Sequence, residues 1–289
     1  MQSAPFDYYR PGTIGEAVDL LTSIEGARAL AGGHSLLPAM KLRVAGPAAL
    51  VDLSRISGLD RISRNGRSLH LGALATHAAV AASDVVNGDC PVLAHTAAQI
   101  GDPQVRNRGT IGGSLAHADP AADYPTVMRA LGATIHVTGG GGKERAIPAD
   151  DFFVGLFATS LQLGELVTAV EVPVMGAGQV GVYSKHRHPA SSYAVVGVAA
   201  IVTVDGGKCT DAAIGIGGVT GKPERASGAE AALVGSMPTR EAAAAAAAAV
   251  GADLPSPIGD LYASGEFRVH LASVLTRRAL VEAFGSLTA

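Results

Sequence analysis

Apolar and polar positions along the chain fall into blocks whose period switches between helical and extended. Ala17, Leu20, Leu21 and Ile24 recur at helical spacing behind Thr13 and Glu16, which stand at capping-box distance. A helix therefore opens just after Pro11-Gly12. Arg28 to Ala31 reads as a short buried strand, Leu36 to Arg43 as a short helix, and Leu50 to Leu53 as the next strand. Helix, strand, helix, strand makes a small α/β unit at the start of the chain.

Ser68 to Leu74 alternates and reads as a strand, and Thr76 is placed to cap a helix through Ala82. Pro91 to Ile100 is a further helix with proline in its first turn. Residues 101–108 form a polar loop, Asp123 to Leu131 a helix, Ala133 to Thr138 a strand, and Leu166 to Val172 a strand ended by Pro173. Gly176-Ala177-Gly178 marks a domain boundary. Beyond it, Gly181 to His186 is extended. Ser192 to Val204 and Cys209 to Gly217 then flank Asp205-Gly206-Gly207 as a hairpin. Helices follow at Ala226–Val234, Thr239–Val250 and Glu266–Phe284; the last carries a stripe of Phe267, Leu271, Val274, Leu275, Leu280, Val281 and Phe284. The pattern divides the chain into an α/β unit over 1–55, a second α/β unit over 56–176, and an α+β domain over 177–289.

Composition narrows the class. Hydrophobic residues make up 48% and charged residues 16%, enough for a sizeable core and against disorder. A net charge of -3 gives no footprint for nucleic acid. Two cysteines, Cys90 and Cys209, supply neither a disulfide framework nor the four ligands of an iron–sulfur cluster. They fit a reduced, cytoplasmic setting. Met1 to Gly12 holds no apolar leader core, and the most apolar runs, Tyr193–Val204 and Ala242–Val250, are too short to span a bilayer. The expectation is a protein with no transmembrane segment.

Two stretches carry candidate chemistry. Ala31-Gly32-Gly33-His34-Ser35 and Thr110-Ile111-Gly112-Gly113-Ser114 each set two glycines beside a small hydroxyl residue. Glycine lets the backbone approach a ligand closely, and successive N–H groups in such turns can bind an anion. Two such turns facing each other would grip a diphosphate. In a chain with 37 glycines either pair alone reads equally well as a tight turn. Gly139-Gly140-Gly141-Gly142-Lys143 fails as a phosphate loop, because Val137 holds the earlier glycine position and Glu144 the place of the magnesium-binding hydroxyl. His34 and His117 lack partners at metal-ligand spacing and serve better to orient loops. Read from the residues alone, Asp123 can cap its helix and Lys185 can stand as a solvated strand residue. Arg106 and Arg108 suit a phosphate, a solvated loop or a partner contact equally. No nucleophile–base arrangement can be defended from spacing.

The flanks of both glycine pairs, Ala31 through Pro38 with Lys41-Leu42-Arg43, and Gly101 through Ser114 continued by Ala116 through Pro125, resemble the FAD-binding medium subunits of the molybdenum hydroxylases. Within that family the likeness is greatest to the medium chains of aerobic carbon monoxide dehydrogenases. The resemblance implies an α+β chain with an FAD-binding fold of the vanillyl-alcohol oxidase/PCMH type, built of two α/β subdomains and a C-terminal α+β domain. It implies that Ala31, Gly32, Gly33, His34, Ser35 and Leu36, with Thr110, Ile111, Gly112, Gly113 and Ser114, hold the FAD pyrophosphate. Asp123 matches a carboxylate at the ribityl chain, Lys185 a flavin-contacting lysine, Leu161 a ring-contacting leucine, and Tyr193 a tyrosine packed by the isoalloxazine. Ser192 departs from the family's acidic residue before that aromatic. The resemblance further implies a small [2Fe-2S] subunit and a large molybdenum-cofactor subunit as partners, in a dimer of heterotrimers. Substrate would be oxidised on the large subunit and electrons delivered to an external acceptor: quinone, NAD or oxygen. Peripheral attachment to the inner membrane face would come through the complex. Two alternatives stand beside this: a related hydroxylase acting on an aldehyde or N-heterocycle, and a stand-alone FAD-dependent oxidoreductase. No catalytic or metal-binding residue is expected on this chain.

Overall fold

The computed structural model describes residues 2–288. The first unit is a parallel three-stranded sheet in the order Asp7–Tyr9, Ala49–Asp52, Ala27–Leu30. Helix Ile14–Ser23 covers it with Ala17, Val18 and Leu21. Its capping box is made as the spacing demands: Thr13 accepts from the Glu16 N–H, while the Glu16 carboxylate reaches back to the N–H of Gly12 at 2.8 Å. Ala27–Leu30 lies at an edge and is half exposed, which corrects the expectation of a buried strand. Ala49–Asp52, in the centre, is buried throughout. The exposed strand Asp7–Tyr9 has no apolar alternation and gave no signal in the sequence.

The second unit is a five-stranded antiparallel sheet in the order Ile62–Asn65, Ser68–Gly72, Leu166–Pro173, Thr134–Thr138, Glu144–Pro148. Leu69, Leu71, Ile135 and Val170 from its strands pack with Leu93, Leu115, Tyr124 and Met128 from helices Pro91–Ala98, Ile111–His117 and Asp123–Leu131. Gly140–Gly142 is an exposed turn inside the hairpin of Thr134–Thr138 and Glu144–Pro148.

The third unit is an antiparallel sheet of Gln179–Arg187, Ala194–Asp205, Lys208–Gly217 and Glu224–Arg225. Gly206 and Gly207, both at positive φ, close its central hairpin, as the Asp-Gly-Gly signal required. Helices Ser227–Leu233, Arg240–Ala249 and Gly265–Thr288 cover it. The polyalanine helix buries Ala243, Ala246 and Ala247, so small side chains permit close packing. Among the described residues no helix is long and apolar enough to cross a membrane.

Helix Asp123–Leu131 joins the second and third units. It is buried from Asp123 to Ala130. A Cβ on Gly215 would lie 2.4 Å from the Thr126 carbonyl oxygen, so glycine alone lets the third sheet approach this helix. Arg129 fastens the contact with an ion pair to Asp150 at 2.8 Å and further bonds to the Pro223 carbonyl and Glu224.

Candidate functional site

The first glycine segment follows strand Ala27–Leu30 and ends where helix Leu36–Lys41 begins. Gly33 sits at φ +76, a conformation that only glycine adopts without strain. The helix has no side-chain cap at Ser35. Among the described residues, none accepts a hydrogen bond from the backbone N–H groups of Gly32, Gly33, His34, Ser35 or Leu36. Five successive unpaired amides at a helix start are donors available to negative charge.

The second segment differs from expectation. It is the opening of helix Ile111–His117 rather than a bend, with Thr110 as N-cap. Its amides are already engaged. Ile111 donates to the Ala75 carbonyl, Gly112 to Ala73, Gly113 to the Thr110 hydroxyl at 3.2 Å, and Ser114 to the Thr110 carbonyl. Here glycine serves proximity: a Cβ on Gly112 would lie 2.5 Å from that of Ala73.

The two segments do meet. A Cβ on Gly32 would lie 2.1 Å from the Arg108 carbonyl oxygen, and one on Gly113 would lie 3.7 Å from the Cβ of Ala31. His77, which no motif in the sequence singled out, supports the contact from beneath. The His77 N–H donates to the Gly109 carbonyl at 2.9 Å, and its ring fills the space left by the missing side chain of Gly109. Burial, then the neighbouring charges of His34 and Arg106, lowers the His77 pKa to about 4, so the imidazole is neutral. Arg106 donates to the carbonyls of Ile100 and Gly101 and so braces the loop from within, while Arg108 is exposed.

Asp123 is the first residue of its helix, not the cap, which is Ala122. Its carboxylate accepts from the Tyr183 hydroxyl at 2.6 Å and from Lys185 Nζ at 2.8 and 3.0 Å. The Lys185 side chain is wholly buried, which rules out a solvated strand residue. Burial pushes the Asp123 carboxyl up and the Lys185 ammonium down, each opposed by the other's charge. Two helix ends favour the ionised pair: Asp123 lies at the N-terminus of one helix, and Lys185 donates to the carbonyl of Gln99 at the C-terminus of another. Tyr193 is half exposed, and its phenol lies near the Ser35 side chain of the first glycine segment. The His117 ring lies tilted against Phe157, with centroids 5.2 Å apart. Leu161 packs half-buried against the core of the five-stranded unit, and its N–H donates to Thr159. Among the described residues no three His, Cys, Asp or Glu side chains converge as metal ligands.

Two glycine segments in contact, one with free amides, beside a tyrosine and a buried Asp–Lys pair suit a protein that takes an anionic, dinucleotide-like cofactor. Comparison with known proteins gives the family. Residues 4–175 match the FAD binding domain in molybdopterin dehydrogenase, and residues 181–283 the CO dehydrogenase flavoprotein C-terminal domain. The chain is 40% identical over 282 residues to the carbon monoxide dehydrogenase medium chain of Afipia carboxidovorans, covering 96% of each. It is 39% identical over 276 residues to the nicotine 6-hydroxylase medium subunit of Paenarthrobacter nicotinovorans, again covering 96% of each. The solved carbon monoxide dehydrogenase of Hydrogenophaga pseudoflava that lacks the Mo-pyranopterin moiety superposes with a TM-score of 0.95 at 38% identity, over 99% of both chains. The chain belongs to the FAD-binding medium subunits of the molybdenum hydroxylases. It is the FAD-binding flavoprotein subunit of a multi-subunit oxidoreductase.

Proposed function

We propose that this chain relays electrons within a molybdenum-containing carbon monoxide dehydrogenase. It would take them from the [2Fe-2S] centres of a small partner subunit and release them to an external acceptor such as a quinone. FAD, which accepts one or two electrons, supplies the redox chemistry when bound. This chain binds and orients it. The free amides of Gly32 to Leu36 hold the diphosphate, with the Ser114 hydroxyl on the opposing helix. Tyr193 flanks the ring system, and Leu161 contributes apolar surface. Asp123 and Lys185 set the polarity beneath. Oxidation of carbon monoxide belongs to a large molybdenum-cofactor subunit in a dimer of heterotrimers, so no residue here acts as acid or base on it. The complex would work in the cytoplasm.

The observation that carries this reading is the row of five unpaired amides pressed against the second glycine segment. Co-purification with the two partner subunits tests it. Flavin absorbance should travel with this chain, and iron and molybdenum with the others. Carbon monoxide should bleach the flavin in the complex and leave the isolated, FAD-loaded chain unchanged. Bleaching by nicotine or an aldehyde, with carbon monoxide inert, would move the assignment to a related hydroxylase. Substrate turnover by the isolated chain would show a self-contained oxidoreductase.

A further inference from the structure

The loop that carries Tyr193 is held at its base, where the His188 ring lies against Tyr262 with centroids 4.7 Å apart and its Nδ1 accepts from the Ala190 N–H at 3.2 Å, while the Tyr193 N–H donates to the Ser191 hydroxyl at 3.4 Å. Between strands Gln179–Arg187 and Ala194–Asp205 it is closed by two backbone bonds, from the His188 N–H to the Tyr193 carbonyl and from the Ser192 N–H to the His188 carbonyl. Pro189, Ala190 and Ser191 are exposed. Ser192 stands at φ +60, where a residue with a Cβ carries roughly 1–2 kcal/mol of strain. The contacts at His188 do not reach the Ser192 carbonyl, so a partner outside the loop must favour this conformation.

Lys185 does so. Its side chain is shielded from solvent, and Nζ donates to the Ser192 carbonyl at 2.9 Å, the Gln99 carbonyl at 2.9 Å, and the Asp123 carboxylate. An ammonium has three N–H donors, and these three partners use all of them. None is left for a ligand. On the far side of Tyr193, the Ala194 N–H donates to the Ala121 carbonyl at 3.1 Å. The phenol, between these two fixed points, lies near Ser35 of the first glycine segment.

We propose that Lys185 is a positioning residue, a buried latch that holds the 188–193 loop so that Tyr193 lies against the first glycine segment. Its effect on cofactor binding rests on the reading that this segment holds FAD; the latch itself does not. The left-handed Ser192 turns its carbonyl to the ammonium, and the Asp123 charge keeps the ammonium in place without solvent. Lys185 thus couples the start of helix Asp123–Leu131, the end of helix Pro91–Ala98 and the tyrosine loop. The resemblance alone would have given this lysine a direct contact with the flavin.

The chain contains no tryptophan, so Tyr193→Trp introduces a single indole that reports on the loop. Emission and acrylamide quenching of Y193W would be compared with Y193W/K185M and Y193W/K185M/D123N, in the full chain without FAD. The triple variant leaves no orphaned carboxylate, so it tests the loop even if K185M alone unfolds. The latch predicts a red-shifted, more quenchable indole in the triple variant, while far-UV circular dichroism shows that the fold persists. FAD titration of K185M/D123N with Tyr193 intact should show about tenfold weaker retention, the loss of roughly one net hydrogen bond. An indole with unchanged emission and quenching in both lysine variants would overturn the proposal. A mobile indole with unaltered FAD retention would uphold the latch and remove Tyr193 from the cofactor site.

Discussion

Gly32→Ala is the sharpest perturbation of the site. The added Cβ would meet only backbone: the Arg108 carbonyl oxygen at 2.1 Å, the Gly109 Cα at 2.7 Å and the Arg108 carbonyl carbon at 2.8 Å. No side chain can rotate away. To restore an ordinary carbon–oxygen separation of about 3.3 Å, the two segments must part by about 1 Å. Overpacking of this kind costs about 1–3 kcal/mol. In a chain of this size that lowers Tm by about 3–10 °C. The same displacement moves the free amides of Gly32 and Gly33 relative to the second segment. Loss of one or two hydrogen bonds to a charged diphosphate, at about 1.5–3 kcal/mol each, weakens FAD retention by about 10-fold to 1000-fold or more. The assay is the ratio of flavin to protein absorbance after gel filtration at fixed FAD, paired with a thermal melt. Gly46→Ala serves as control, since a Cβ there meets nothing within 4 Å. A G32A chain that keeps wild-type flavin occupancy would refute the argument that the two segments must touch for the cradle to work.

Three further changes separate cradle from scaffold. Thr110→Ala removes the helix cap and should cost about 1 kcal/mol of stability while leaving FAD retention unchanged, because the amides it engages belong to the protein rather than to the ligand; flavin loss as large as in G32A would count against that division. Tyr183→Phe deletes the 2.6 Å bond to the buried Asp123 carboxylate and should cost about 1.5–3 kcal/mol by urea unfolding, with a loss under about 0.5 kcal/mol contradicting the assignment. His77 is held neutral with a pKa lowered to about 4, whereas the unfolded chain takes up its proton near 6.5. Stability therefore falls as pH drops from about 6.5 to about 4, by up to about 3 kcal/mol from this group alone. Unfolding of His77→Gln at pH 7 and pH 4.5 should show that part of the pH dependence removed; an unaltered slope would place the sensitivity elsewhere.

The helices and buried strands of this chain were legible because each has a clear period. Its edges were not. Asp7–Tyr9 and Glu144–Pro148 are border strands with few buried side chains, so neither shows the alternation that marks a half-buried strand. The short helix Asp84–Asp89 also passed unseen, although Ser83 caps it by accepting from the Val86 N–H. Several site residues lay outside the reach of motif reading because they act through backbone: the carbonyls of Gln99, Ser192 and Arg108 carry no signature of residue type. Tyr183 was within reach. It stands two residues from Lys185 on one strand, so both side chains share a face and both meet Asp123.

The two glycine pairs look alike as text, yet they do opposite work, and the residues leading into each tell them apart. Thr110 precedes the second pair and can cap a helix; its hydroxyl and carbonyl engage the amides of Gly113 and Ser114. Ala31 precedes the first pair and has no polar side chain, and Ser35 at the following helix makes no cap bond. The amides from Gly32 to Leu36 are therefore left for a ligand. Where a capping residue stands in front, glycine serves to bring protein against protein, as Gly112 does against Ala73. Where none does, glycine leaves its N–H groups open to an anion. In the proposed reading the cradle is thus asymmetric: the first segment offers its amides to the diphosphate, while the second, pressed on Gly32 through Arg108 and Gly109, offers only the Ser114 hydroxyl and keeps the first in shape.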